Sequence, residues 1–253
     1  MAQGTDDATD AAGGGDERRR SSTAIIILAA GSSTRMGKPK QLLTYDHCTF
    51  LRHAAEVAVA SVCRPILIVL GAYASQLQSE IDDLPVRPVT NERWADGMGY
   101  SIQVGVGVLQ NYDRADNTEA LVLMLCDQPY VRAAVINDLV TAYHANDKGI
   151  IASEYGGTLG VPALFGRKYF ADLAAMSGAA GAKHLIAARA SDVMPVPFSK
   201  GITDIDTPED YRQLERAIVP GHVEEFRNPP APALHFEGLS ASHDVLQVTW
   251  KPE

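Results

Sequence analysis

The stretch from Ile25 to Leu43 reads IIILAAGSSTRMGKPKQLL, and the rest of the chain is arranged around it. Ile25–Leu28 is a short apolar, β-branched run, the pattern of a strand buried on both faces of a sheet. It passes directly into Ala29-Ala30-Gly31, three small residues that let a ligand come close to the backbone. Ser32, Ser33 and Thr34 follow, then Arg35, Gly37, Lys38 and Lys40. A strand that ends in small residues and then presents hydroxyls and cations builds an anion-binding loop. In an open parallel sheet such a loop lies at the carboxyl edge, where ligands bind. These residues predict a nucleoside-triphosphate site.

Two commoner phosphate motifs do not fit. A P-loop has four residues between its glycines and then Lys-Ser/Thr. Here Gly31 and Gly37 enclose SSTRM, and Lys38 precedes Pro39. The dinucleotide fingerprint G-x-G-x-x-G fails at its second glycine, where Ser33 stands.

Outward from this loop, apolar runs alternate with helical patterns. Phe50–Val62 has near-helical apolar spacing with Thr49 as N-cap, and Pro65–Leu70 is a second buried strand ended by Gly71. Tyr73–Ile81 reads as a helix and Val86–Val89 as a short strand. Ala120–Cys126 (ALVLMLC) is the strongest strand signal and ends in Asp127-Gln128-Pro129, with a helix expected over Val131–His144. Ile150–Ser153, Ala163–Phe165 and Asp192–Val196 complete the strands, with a helix over Ala182–Ala190. Thr207-Pro208-Glu209-Asp210 is a helix start with Thr as cap and Pro at the first helical position. This alternation predicts βαβ units and an α/β fold with a mostly parallel sheet.

Length and composition bound the function. A chain of 253 residues can bury one sizeable core, and its net charge of −9 argues against a partner such as nucleic acid. A local cluster of Arg35, Lys38 and Lys40 still suits a small anion. Cys48, Cys63 and Cys126 are widely spaced without C-x-x-C, and no apolar run reaches the ~20 residues of a membrane span. A reduced, cytoplasmic location is expected. The seven histidines form no metal-ligating spacing, and neither G-x-S-x-G nor a Cys-His arrangement is visible. Residues 1–22, rich in Gly, Ala, Asp and Thr, are expected to be a disordered tail, residues 23–219 the domain, and residues 220–253 an extension of unknown role.

The opening loop resembles the signature L-A-A/G-G-x-S-x-R-M-G-x-x-K of nucleotidyltransferases that make molybdenum-cofactor dinucleotides, matched at every fixed position from Leu28 to Lys40. Asn91, Trp94, Gly97 and Ser101 resemble the family's second nucleotide-contacting segment, N-x-x-W-x-x-G-x-x-x-S. Gly160-Val161-Pro162 resembles its acceptor-side G-x-P segment, with Val161 where His is common. Lys183 falls where the family often has Arg; it is read either as an acceptor ligand or as a surface lysine. Alone, Asp127 fits a helix cap or turn; within the Cys-Asp-Gln-Pro string it resembles the family's metal Asp. In D-I-D-T-P-E-D the family brings a second acid to the metal, assigned to Asp206 with Asp204 as its substitute.

The resemblance, from about Ala24 to Val219, implies a Rossmann-like three-layer α/β/α nucleotidyltransferase fold and a Mg²⁺-dependent enzyme. It implies CMP transfer from CTP to the phosphate of molybdopterin, with release of pyrophosphate. The backbone of Leu28–Gly31 would read the base, with Arg35 and Lys40 on the β/γ-phosphates and Asp127 and Asp206 on Mg²⁺. Related guanylyltransferases tend to have Ala-Gly-Gly where this chain has Ala29-Ala30-Gly31, and one methyl discriminates only about 10–200-fold. GTP use, another cytidylyl or sugar-phosphate transferase of the same fold, and a non-enzymatic cofactor chaperone for a recipient molybdoenzyme are the alternatives.

Overall fold

Every residue of β1 (Thr23–Ala29) is buried, and alternate side chains enter two different cores. Ile25, Ile27 and Ala29 join one apolar cluster, while Ala24, Ile26 and Leu28 join the other. A strand with no polar face can only sit mid-sheet, with a helical layer on each side. The computed structural model describes residues 23–111, 117–203, 205–217 and 246–247 and has this architecture. The expected N-terminal tail, Asp204, and all of the 220–253 extension except Leu246–Gln247 lie outside the described residues.

The remaining sheet strands are β4 (Ile66–Leu70), β5 (Arg87–Thr90), β6 (Ala120–Leu125), β7 (Ile150–Tyr155), β8 (Thr158–Gly166), β9 (Val193–Pro197) and β10 (Leu246–Gln247). β2 (Thr44–Tyr45) and β3 (Cys48–Thr49) form a separate small hairpin. The main sheet has the order β10-β5-β4-β1-β6-β8-β7-β9. β1 pairs in parallel with both β4 and β6, placing Ile26 between Leu67 and Leu123. Only β8 is antiparallel to its neighbours. Its hairpin with β7 turns on Gly156 and Gly157, both at positive φ, the requirement of a two-residue turn of the kind that suits sheet twist. β9 is an outer strand carrying Pro195 and Pro197, residues that suit a sheet edge because they offer no N–H.

Helices α1 (Phe50–Ala60), α2 (Ala74–Gln78) and α4 (Ala133–Ala145) contribute to the first apolar cluster. Helices α3 (Met98–Gln110), α5 (Phe170–Ala174) and α6 (Ala182–Ala188) contribute to the second. Helix α7 (Pro208–Ala217) follows the acidic string. A third, smaller cluster joins Met36, Leu43, Tyr45, Phe50, Ile205 and Leu214. It fastens the opening loop to the segment before α7.

The expected elements are present with shifted ends. The strand expected over Ala163–Phe165 lies in the second half of β8, because the Gly156-Gly157 turn starts it five residues earlier. The helix expected over Tyr73–Ile81 keeps regular geometry only to Gln78. Strand order, not chain direction, reverses at β1: β4 lies on one side of it and β6 on the other, which leaves a crevice beyond their carboxyl ends.

Candidate active site

The crevice takes its chemistry from three segments far apart in sequence. The first is the loop after β1. Ser33 and Gly37 sit in left-handed backbone at φ 54° and 69°, so the loop folds back after each, around a short 3-10 turn at Thr34–Met36. A second such turn, Lys40–Leu42, follows Pro39 and delivers Lys40. A side chain at Gly31 would meet no protein atom within 4 Å, so the loop keeps open space above its backbone.

The second segment ends β6. Asp127 is buried at its carboxyl end, and the Ile205 amide donates to the Asp127 carbonyl at 3.3 Å. That bond draws in the third segment, whose Ile205 side chain is fully buried in the small cluster beside Met36. Asp206 is thereby held next to Lys40. Asp210 fixes it further by accepting from the amides of Asp206 at 3.1 Å and Thr207 at 2.8 Å, and from the Thr207 hydroxyl. The Asp210 amide donates back to Thr207, a capping box with Asp in the Glu position. Hydrogen bonding from Thr207 lowers the Asp210 pKa from its ordinary value.

Lys40 is the hub. Its ammonium donates to Asp127 Oδ2 and, at 3.1 Å, to Asp206 Oδ1, while the Arg35 guanidinium reaches Asp206 Oδ2 at 2.9 Å. Burial alone would favour a neutral Lys40, but the charge and hydrogen bond of Asp127, then Cys126 and Asp206, outweigh it and raise its pKa. Lys40 is a permanent cation. Burial and then the Asp127 carboxylate push the neighbouring Cys126 thiol up to about 12, which leaves it no nucleophilic role.

Asp127 Oδ1 is buried and accepts no hydrogen bond among the described residues. An orphan carboxylate oxygen beside a second carboxylate fits a hard divalent cation that draws its other ligands from water and phosphate. No group of three His, Cys, Asp or Glu suited to a metal occurs among the described residues; Asp127 and Asp206, which both meet Lys40, are the two carboxylates that could take part in holding one.

The other expected residues divide. Lys38 turns away, its ammonium 5.6 Å from the centre of the Tyr211 ring. Asn91 and Ser101 are buried and bonded to each other at 3.0 Å, a brace inside the N-x-x-W-x-x-G-x-x-x-S segment. Gly97, at φ 120°, and Gly99 press against Gly178 and Ser177: a Cβ on Gly97 would stand 2.2 Å from the Gly178 carbonyl oxygen. These glycines allow two loops to meet. In the segment expected on the acceptor side, Gly160 lies under Tyr155 and near Lys183, whose ammonium is 5.8 Å from the Tyr155 ring centre. Pro162 accepts from the buried Ser153 hydroxyl at 2.6 Å. Gln128, beside Asp127, donates to the Val161 carbonyl at 3.0 Å and so joins the acceptor segment to the acidic one.

Sequence reading passed over Gln41, which is 1% exposed. Its amide nitrogen donates to the carbonyls of Ala29 at 3.0 Å and Gly31 at 2.7 Å, and its oxygen accepts from the Ser33 hydroxyl at 3.2 Å. The signal was a lone amide between Lys40 and the apolar Leu42-Leu43. The carbonyls of Leu28 and Ala30 accept from the amides of Cys126 and Ala72, so all four carbonyls of the expected base-reading backbone hold a protein partner.

Crevice, loop and acids together define a nucleotidyltransferase fold of three α/β/α layers. The solved structure of an Rv0371c homologue from Mycobacterium sp. strain JC1 superposes with a TM-score of 0.66 at 28% identity, over 79% of this chain and 97% of that one. Rv0371c from Mycobacterium tuberculosis H37Rv, solved in complex with manganese, gives 0.65 at 28%, over 78% and 100%. Residues 25–193 match the family model described as the MobA-like NTP transferase domain, and the chain belongs to that family. It is also 30% identical over 197 residues to the nicotine blue oxidoreductase of Paenarthrobacter nicotinovorans, covering 73% of this chain and 92% of that one. No helix of the described residues is long and apolar enough to cross a membrane.

Proposed function

We propose that the protein transfers CMP from CTP to the terminal phosphate of molybdopterin and releases pyrophosphate. The observation that carries this is the meeting of Arg35 and Lys40 with Asp127 and Asp206 at the crevice beyond β1 and β6. Anionic nucleotide chemistry needs such a pairing of cations with metal carboxylates, and a structural ion pair does not need an orphan carboxylate oxygen. A phosphate oxygen of the acceptor attacks the α-phosphorus in line. The bond to the bridging oxygen breaks, and its electron pair leaves on pyrophosphate. The protein's share is alignment and neutralisation of charge.

Arg35, with its side chain 69% exposed, is free to swing onto the β/γ-phosphates. Lys40 moves from the carboxylates to the phosphates and steadies the departing pyrophosphate. The open space at Gly31 admits the nucleotide. Asn91, Gly97 and Ser101 support the nucleotide through the shape of their segment. Gly160, Pro162 and Lys183 line the acceptor side, with Lys183 meeting the acceptor's charge. Asp127 and Asp206 would hold Mg²⁺, which when bound would supply Lewis-acid stabilisation of the α-phosphate. The reaction belongs in the cytoplasm, with a molybdoenzyme as recipient of the product.

The test is a nucleotide panel with pyrophosphate release as the readout, followed by mass spectrometry of the products formed from Mg²⁺, molybdopterin and CTP or GTP. The expected product is the cytosine dinucleotide. Release with GTP alone, or release indifferent to molybdopterin, moves the assignment to another transferase of this fold. The name of the Paenarthrobacter relative favours a second reading, in which the crevice takes a redox dinucleotide. Oxidation of NADH or NADPH by an added quinonoid electron acceptor, without pyrophosphate release, would establish that reading instead.

A further inference from the structure

We propose that Gln41 is the positioning residue of the triphosphate loop, tying the end of β1 to the turn that delivers Lys40. The inference rests on reading that loop as the triphosphate site. A primary amide has two donor hydrogens and one strong acceptor, and here all are used inside the loop. The hydrogens go to the carbonyls of Ala29 and Gly31, and the oxygen accepts from the Ser33 hydroxyl. The Ser33 oxygen in turn accepts from the Lys40 amide at 3.0 Å. The result is a closed ring of hydrogen bonds that begins at the last residue of β1 and returns at the catalytic lysine. Rotating the amide by half a turn would set its oxygen against two carbonyl oxygens, so the bonding pattern fixes its orientation.

Two features make the ring more than loop packing. Ser33 is a non-glycine residue in left-handed backbone, a conformation that persists only where surrounding bonds impose it. Gln41 and Lys40 are also neighbours on one 3-10 turn, so a shift of the amide carries the ammonium with it. No other side chain substitutes well. Asn lacks a methylene of reach, Met keeps the shape without the bonds, and Glu presents oxygens to two carbonyls unless it is protonated.

The experiment compares wild type with Gln41→Met, Gln41→Asn and Gln41→Glu by steady-state pyrophosphate release and by amide hydrogen exchange. Gln41→Met and Gln41→Asn lower kcat about 10–100-fold, with a smaller change in KM for the nucleotide, since a misplacement near 1 Å costs about 10²-fold. Gln41→Glu is as impaired at pH 8.5 but regains at least about fivefold relative to wild type by pH 6. Burial against carbonyls raises the pKa of the new carboxyl, and the protonated form restores one donor. The Lys40 amide exchanges at least about tenfold faster in Gln41→Met, while the Ile25–Leu28 amides keep their protection. Wild-type kinetics in Gln41→Met, a flat activity ratio for Gln41→Glu across that range, or unchanged exchange at Lys40 overturns the proposal. Should wild type release no pyrophosphate with any nucleotide, the transferase reading fails, and the exchange measurement still decides the role of Gln41.

Discussion

Replacing Lys40 with Met leaves Asp127 buried with neither carboxylate oxygen partnered, since Oδ2 loses the ammonium and Oδ1 had no hydrogen bond. The side chains are 19% and 7% exposed, so water offers little relief. Removing one partner of a buried pair costs about 3–5 kcal/mol. In a domain of this size each kcal/mol lowers the melting midpoint by about 2–4 °C, which gives a loss of about 6–20 °C near neutral pH. The sign of the pH dependence follows from linkage. In wild type the Lys40 pKa lies above its ordinary value of 10.5, so its contribution is complete below that pH and is lost only above it. Wild-type stability owes no slope to Lys40 between pH 5 and 8. Thermal unfolding should therefore show the full deficit at pH 8, where Lys40 is fully charged in wild type. The pair Lys40→Met with Asp127→Asn should recover most of the midpoint at pH 8 while activity stays down by about 10²–10³. No deficit at pH 8, or no recovery in the double variant, would refute the account of Lys40 as the counter-charge of Asp127.

Ile205→Ala removes a fully buried side chain from the small cluster and should cost about 2–5 kcal/mol in urea unfolding. Because Asp206 is the next residue, kcat should fall about tenfold at temperatures where circular dichroism shows the variant folded. Gly97→Ala forces a methyl to within 2.2 Å of the Gly178 carbonyl oxygen at φ 120°, so it should destabilise by at least about 1–3 kcal/mol and raise the nucleotide KM. Burial lowers the His53 pKa, and its Nε2 donates to the Pro129 carbonyl at 3.1 Å. The unfolded chain then binds the extra proton first, and His53 withdraws stability as pH falls below about 6.5. Urea unfolding of His53→Gln should vary less between pH 7 and pH 5 than wild type.

The strands were readable because burial on both faces removes polar residues from them: Ile25–Leu28, Pro65–Leu70 and Ala120–Cys126 announce themselves without alternation. The sequence shows β8 short because its first five residues, Thr158–Pro162, include Thr158, Gly160 and Pro162, which are poor strand signals; the turn at Gly156-Gly157 is the available clue. The charged members of the site were legible because ionised groups gathered at strand ends have few other uses. The hydrogen-bond braces were not. Asn91 and Ser101 match a motif whose letters do not say whether a side chain faces the ligand or a neighbour. Gln41 has no charge, and a buried amide surrounded by apolar letters looks like any helix-compatible residue. Periodicity finds what avoids water, and charge finds what attracts ligands; satisfied amides belong to neither pattern.

The site's precision has an apolar origin. Arg35 and Lys40 are each attracted to Asp206, yet attraction between partly exposed charges is weak and indifferent to geometry. What fixes the geometry is that each charge stands one to three residues from a buried side chain of the same small cluster: Arg35 from Met36, Lys40 from Leu43, Asp206 from Ile205. Helix α7 closes that cluster through Leu214, and its capping box aims the Asp206 backbone. The cations and the second carboxylate are thus the polar rim of one apolar plug, while Asp127 comes from the sheet itself. On the proposed function, a substrate would break the ion pairs and take Lys40 and Arg35 onto its phosphates without disturbing the plug. The positions of Arg35, Lys40 and Asp206 are thus carried by the plug rather than by their ion pairs, as the proposed function requires of charges that change partners at every turnover.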